Sequence, residues 1–210
     1  MSELIGPASL VIESARWIIQ RGDRDSIALL LEGNPGVGKT AICDELALDL
    51  TQSPYAVDRI NGQSLTVDIV RGWVQSGFYG NLFSDWTVKR VDEIDKASSA
   101  AVAELLTFLD YMPKKFALLA TTNEFEKLRA QSKGRLESRF IRFRVDAPTV
   151  EDTATFLRAK YRVPAAAALT IANWSVPEGC LPTEGCNVRS AINDAFAFLA
   201  AGEVKKGGRS

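Results

Sequence analysis

The sequence of 210 residues contains no histidine. That absence removes the usual neutral-pH general base and every mixed Cys/His zinc site, so any chemistry must come from Lys, Arg, Asp, Glu and hydroxyl groups. Cysteine is scarce and odd in number, with Cys43, Cys180 and Cys186 alone; reduced thiols are expected, with a Cys180–Cys186 pair or a metal held between them as the alternative. No run approaches the ~18 uncharged apolar residues of a membrane span. The N-terminal MSELIGPASL has neither the basic start nor the apolar centre of a signal peptide, so a cytoplasmic location without a membrane partner is expected. An excess of one charge is also missing. The formal net charge is −1, which gives no global attraction to polyanions. Positive charge is local, in Arg129, Lys133, Arg135, Arg139, Arg142 and Arg144, with only Glu137 opposing it in that stretch.

What is present is a composition 46% hydrophobic and 24% charged, enough for one core and a small appended module. Ile27–Leu31 is a continuous apolar run, the pattern of a strand buried on both faces of a parallel sheet. A glycine-rich turn follows it, then Ile42, Leu46 and Leu50 at helical spacing. Further strands are predicted at 57–60, 86–92, 116–121 and 140–145. A helix is predicted at 66–74, and another after Ser98, where Val102, Leu105, Leu106 and Leu109 share a face. Strands alternating with helices predict an α/β fold, a doubly wound five-stranded parallel sheet whose ligands bind at the carboxyl ends of the strands.

Ala147-Pro148-Thr149 ends that alternation. Thr149 and Asp152 form a capping-box pattern, and helical faces follow around Leu157, across 164–174, and from Val188 to Leu199. The expected division is a nucleotide-binding core at 1–146, an all-helical lid at 147–202 and a flexible basic tail at 203–210.

Gly33-Asn34-Pro35-Gly36-Val37-Gly38-Lys39-Thr40 matches the phosphate-loop pattern in full, between a predicted strand and a predicted helix. Glycines let the backbone wrap a polyphosphate with its N–H groups pointing inward, and the positive end of the next helix, including Ala41, assists. Lys39 would neutralise the outer phosphates and Thr40 would ligate Mg²⁺, so ATP with Mg²⁺ is the expected cofactor. Asp92-Glu93 closes a strand. Asp92 can hold the metal through water, and Glu93 can orient an attacking water; the alternative is a solvated acidic turn that includes Asp95. Lys89 and Arg90 are unusual inside such a strand.

Taken in order, Asp92-Glu93, Thr121-Thr122-Asn123, Leu136-Glu137-Ser138-Arg139-Phe140 and Gly185-Cys186-Asn187-Val188-Arg189 resemble the Walker B, sensor 1, arginine-finger and sensor 2 elements of the AAA+ P-loop ATPases. The resemblance covers almost the whole chain. It implies that Asn123 positions the water or the γ-phosphate. It also implies that Arg139, or alternatively Arg135, reaches the site of a neighbouring subunit, and that Arg189 contacts phosphate from the lid. Without the family, Arg139 and Arg189 read as ion-pair residues and Asn123 as a turn residue. Leu4-Ile5-Gly6 resembles the segment that packs on adenine, which makes Ile5 a nucleotide contact; a hydrophobic staple is the alternative.

Within that family the sequence is most similar to clamp loader subunits, replication factor C included, through Ile60-Asn61-Gly62, Val67–Arg71 and Ser138-Arg139. On this reading the collar domain of those subunits is missing. Assembly as a homo- or hetero-oligomer, a pentamer, a hexamer or a filament, would then come from the ATPase and lid surfaces or from a template such as DNA. The leading expectation is an ATP hydrolase acting on DNA or on a DNA-bound protein partner, with the 129–144 basics, Arg71 and Lys114-Lys115 as candidate phosphate contacts. The alternatives are a protein-remodelling chaperone of the MoxR type, with Phe78-Tyr79-Gly80 as a pore-loop candidate, and a transposition-type ATP switch.

Overall fold

The computed structural model describes residues 4–21, 25–79, 84–180 and 185–207. The chain divides into two compact units. One comprises Val11–Gly33 and Lys39–Arg144; the other gathers the N-terminal segment to Leu10, Asn34–Gly38 and the chain from Val145 onward.

The first unit is built on a five-stranded sheet of β1 (Ser26–Glu32), β2 (Val57–Asn61), β3 (Thr87–Asp92), β4 (Phe116–Thr122) and β5 (Ile141–Arg144), in the order β2-β3-β4-β1-β5. All four pairings are parallel. The apolar runs take the centre of the sheet, as burial on both faces requires: Ile27 to Leu31 and Phe116 to Ala120 are all buried. Between the strands run α2 (Lys39–Thr51), α3 (Val67–Tyr79), α4 (Ser99–Asp110) and α5 (Phe125–Ser132), and α1 (Pro7–Gln20) precedes β1.

Side chains alternate between the two faces. Leu30, Val91, Phe116, Leu118 and Ala120 enter one core with Val70 and Trp73 of α3 and Val102, Leu105 and Phe108 of α4. Trp73, Phe108 and Phe116 meet edge to face at 5.7 and 5.0 Å. By the same alternation Val88, Arg90 and Asp92 leave β3 on the opposite face, where Arg90 meets Asp44 of α2. The doubly wound α/β architecture is therefore present.

The polar interruption of β3 has a physical resolution. Lys89 reaches Asp58, its cross-strand partner in the register of β2 and β3, at 2.9 Å. Arg90 is buried at 4% exposure between carboxylates.

The second unit contains α6 (Val150–Tyr161), α7 (Ala165–Trp174) and α8 (Val188–Gly207) around a small core of Val150, Leu157, Ile171 and several alanines. Thr149 and Asp152 close the predicted capping box in both directions. Two elements run further than the sequence pattern indicates: α3 continues past 74 to Tyr79, and α8 continues through the expected tail to Gly207. Of the pore-loop candidate, Phe78 and Tyr79 end α3, and Gly80 lies outside the described residues. No helix among the described residues is long and apolar enough to cross a membrane.

Candidate nucleotide-binding site

β1 delivers the chain into the glycine-rich turn. The Gly33 N–H donates to the Thr122 carbonyl at 3.3 Å, which fastens the start of the loop to the end of β4. Gly36 and Gly38 adopt φ of +84° and +104°, left-handed conformations that a side chain would strain. The N–H groups of Gly36, Val37 and Gly38 have no hydrogen-bond partner among the described residues. Lys39, buried at 7% exposure, turns its ammonium back to the Gly33 carbonyl at 2.7 Å. Thr40 and Ala41 are exposed on the first turn of α2. Uncommitted N–H donors in the second unit, and a fixed cation at a helix N-terminus in the first, are each of the kind that suits a polyphosphate.

The loop is also gripped within the second unit. The Val188 N–H, opening α8, donates to the Gly36 carbonyl at 3.1 Å. Asn187 lies so close that a β-carbon at Gly36 would overlap its side-chain oxygen. Leu4 approaches from the N-terminal segment, its methyl 3.9 Å from where a β-carbon on Gly38 would sit, and Ile5 beside it is half-buried. Arg189 is exposed on the first turn of α8, without a partner among the described residues.

Asp92 ends β3 with both carboxylate oxygens on Arg90, at 3.2 Å from Nε and 2.6 Å from the second guanidinium nitrogen. Burial works against the Arg90 charge, but the bonds to Asp92 and the nearby Asp44 carboxylate more than offset it, leaving the guanidinium pKa raised. Thr121 donates weakly to Asp92 at 3.5 Å. A carboxylate oxygen has two acceptor positions, so Asp92 Oδ2 retains one beyond Arg90. The hydroxyl of Thr40 and the carboxylate of Asp92 are hard oxygen donors of the kind Mg²⁺ takes.

Glu93 sits in the left-handed region at φ 54°, ψ 53°, an unusual position for a non-glycine residue. Its N–H donates to the Thr121 hydroxyl at 3.0 Å. Its carboxylate accepts from Lys96 Nζ at 2.7 Å, Asn123 Nδ2 at 3.2 Å and Asn61 Nδ2 at 3.4 Å. The Lys96 bond is the largest influence and holds the Glu93 pKa below the usual glutamate value, aided by both asparagines against partial desolvation. Asn61, Glu93 and Asn123 leave the carboxyl ends of β2, β3 and β4, so a parallel sheet brings them together. Buried Asp95 accepts from the Thr122 hydroxyl at 2.7 Å and the Asn123 N–H at 3.1 Å, fixing the turn that carries Asn123.

Arg139 is half-buried and Arg135 exposed. Arg139 forks onto Asp110 and also donates to the Arg135 carbonyl at 2.8 Å. Arg135 Nε donates to the Ser132 carbonyl at 3.3 Å. Most of the other candidate phosphate contacts have acidic neighbours: Arg71 meets Glu104, Lys114 meets Asp25, Arg129 meets Glu137, and Arg142 meets Glu32. Lys115 lies over the Trp86 ring at 5.2 Å. Within the 129–144 cluster, Arg129, Arg139 and Arg142 are therefore paired with carboxylates where they stand.

Residues 29–144 match the ATPase family associated with various cellular activities (AAA). The chain belongs to the AAA ATPases. This is a family of ATP-binding P-loop proteins, and it agrees with the order of motifs in the sequence. No curated protein matches the chain significantly in sequence. Among solved structures, a DNA polymerase III gamma subunit-related protein of Thermotoga maritima aligns over 88% of this chain and 72% of its own, at 17% identity and a TM-score of 0.56. The Thermotoga maritima RuvB Holliday junction branch migration motor aligns over 95% of this chain and 61% of its own, at 24% identity and a TM-score of 0.66. A point mutant of that RuvB reaches 0.68 at 24% identity, over 97% of this chain and 65% of its own. The AAA chain thus spans less than two thirds of the RuvB chains, and the likeness is one of fold.

Three residues at this AAA site, Asn61, Asp95 and Lys96, were not recognised as site residues from sequence. Asn61 was detectable in principle, because it closes a predicted strand of a parallel sheet and so falls at the ligand-bearing edge.

Proposed function

We propose that the chain is a Mg²⁺-dependent ATP hydrolase that works as an oligomer on DNA or on a DNA-bound protein complex. The observation that carries the hydrolase part is the convergence of Glu93 and Asn123, 3.2 Å apart, at strand ends tied through Thr122 to the start of the phosphate loop. In this reading the loop Gly33–Thr40 with Ala41 binds the ATP phosphates, through the N–H groups from Gly36 to Ala41 and the Lys39 ammonium. Thr40 and Asp92 hold Mg²⁺, which supplies neutralisation of phosphate charge when bound. Glu93 is the residue that orients water and accepts its proton, and Asn123 holds that carboxylate and the water in line.

The segment around Ile5 packs on the base. Residues 147–202 act as a lid, with Arg189 its phosphate contact. Arg139 serves the site of a neighbouring subunit, with Arg135 the second candidate for that role. The AAA membership supports assembly, and the DNA assignment is supported by the likeness in fold to the RuvB Holliday junction branch migration motor and the DNA polymerase III gamma subunit-related protein.

The test is the solution mass of the Glu93→Gln protein with and without ATP, Mg²⁺ and duplex DNA. Assembly that requires both ATP and DNA supports the reading and counts the subunits. Assembly with ATP alone, indifferent to DNA, moves the assignment to protein remodelling, and a monomer under all conditions removes the role of Arg139 in trans.

A further inference from the structure

One ion pair connects α2 to β3, and the proposed metal site would add a second rung above it. Thr40 and Asp44 are one helical turn apart on α2, and Arg90 and Asp92 are two residues apart on β3, so each pair projects from one side of its element. The lower rung is closed: Arg90 donates to Asp44, which also accepts from Arg59 at 2.7 Å. The upper rung is the proposed one: Thr40 and Asp92, the two oxygen donors assigned above to Mg²⁺, would be joined through that ion. Arg90 also reaches from the lower rung into the upper one, placing its fork on both oxygens of Asp92.

We infer that Arg90 is a positioning residue for the metal site, an internal cation that orients the Asp92 carboxylate against α2 and weakens its hold on a divalent ion. The inference rests on the proposed nucleotide site and adds to it a residue that sets metal affinity. The physical basis is simple. A strand at this position is ordinarily apolar, and an apolar neighbour would leave the full charge of Asp92 to the metal. A guanidinium in a bidentate contact neutralises much of that charge, and its own charge repels a cation bound just beyond Asp92. At 4% exposure it is poorly screened by water or salt. Asp44, 40% exposed at its side chain, draws part of the Arg90 charge away from Asp92 and so moderates the effect.

The experiment measures Mn²⁺ binding by electron paramagnetic resonance, with protein saturated by a non-hydrolysable ATP analogue, and fluorescence of the same analogue's binding in EDTA. Arg90→Gln is expected to bind Mn²⁺ at least about threefold more tightly than the parent, and Arg90→Lys, which keeps the charge and loses the fork, to stay within about twofold. Asp44→Asn, an exposed change that the fold can absorb if Arg90→Gln does not fold, is expected to weaken Mn²⁺ binding. Unchanged or weaker Mn²⁺ binding in Arg90→Gln, or an unchanged value in Asp44→Asn, overturns the inference while leaving the nucleotide site standing. A parent that binds no analogue in EDTA or with metal overturns both.

Discussion

The guanidinium of Arg139 holds the carboxylate of Asp110 through two hydrogen bonds, 2.8 Å from Nε and 2.9 Å from the terminal nitrogen, joining the end of α4 to the turn before β5. The Arg139 bond keeps the Asp110 pKa below the ordinary aspartate value. A depressed carboxylate pKa means the bridge contributes fully above the unfolded value and is lost only as pH falls through the folded one, so it is intact at neutral pH.

If Arg139 serves a neighbouring site, Arg139→Ala should lose on the order of 10³-fold in ATP turnover, the scale of an arginine finger, while still binding ATP. Mixing Arg139→Ala with Glu93→Gln should restore part of the activity, since a mixed interface can combine an intact finger with an intact carboxylate. An inert mixture at all ratios would assign Arg139 to its bridge with Asp110 alone.

Removing the Lys96 ammonium should move the acid limb of the turnover–pH profile upward. Lys96 is the largest cause of the lowered Glu93 pKa, so in Lys96→Met the carboxylate takes up its proton at a higher pH and the base is lost sooner on acidification. Steady-state rates across pH for the parent and Lys96→Met provide the comparison, and superimposable acid limbs would contradict the assignment of Glu93 as the base.

Gly36→Ala should destabilise the protein by about 1–3 kcal/mol, because alanine is strained at positive φ and its methyl overlaps Asn187. Urea unfolding measures this. The double variant with Asn187→Gly should recover the part due to overlap and leave the part due to φ.

Cys43 should resist thiol reagents in the native protein. It is buried, and desolvation pushes its thiol up to about 12, so almost no thiolate exists at pH 8. Cys186 is buried with its thiol directed at the Ala172 carbonyl at 3.4 Å, while Cys180 is exposed. A colorimetric disulfide titration should register one fast thiol, Cys180, with the other two appearing on unfolding.

The phosphate loop, the Asp92-Glu93 pair, the capping box at Thr149 and the apolar central strands were all legible in the sequence, since each is a contiguous segment whose backbone conformation or burial its own residues dictate. The α5 helix was not legible as a helix, its eight residues being mostly polar and lacking a side-chain cap. Periodicity also did not mark the far ends of α3 and α8. Arg90 looked out of place because a strand pattern cannot say that Asp44, 46 residues earlier in the chain, will lie over it. Asn61, Glu93 and Asn123 are neighbours only because β3 pairs between β2 and β4. The sequence by itself determined the AAA family motifs and the conformations they require, which are local. Only the tertiary structure decided which charges meet which, that Arg90 belongs to Asp44 and Arg139 to Asp110, because those partners are set by strand order and helix packing across long separations rather than by spacing along the chain.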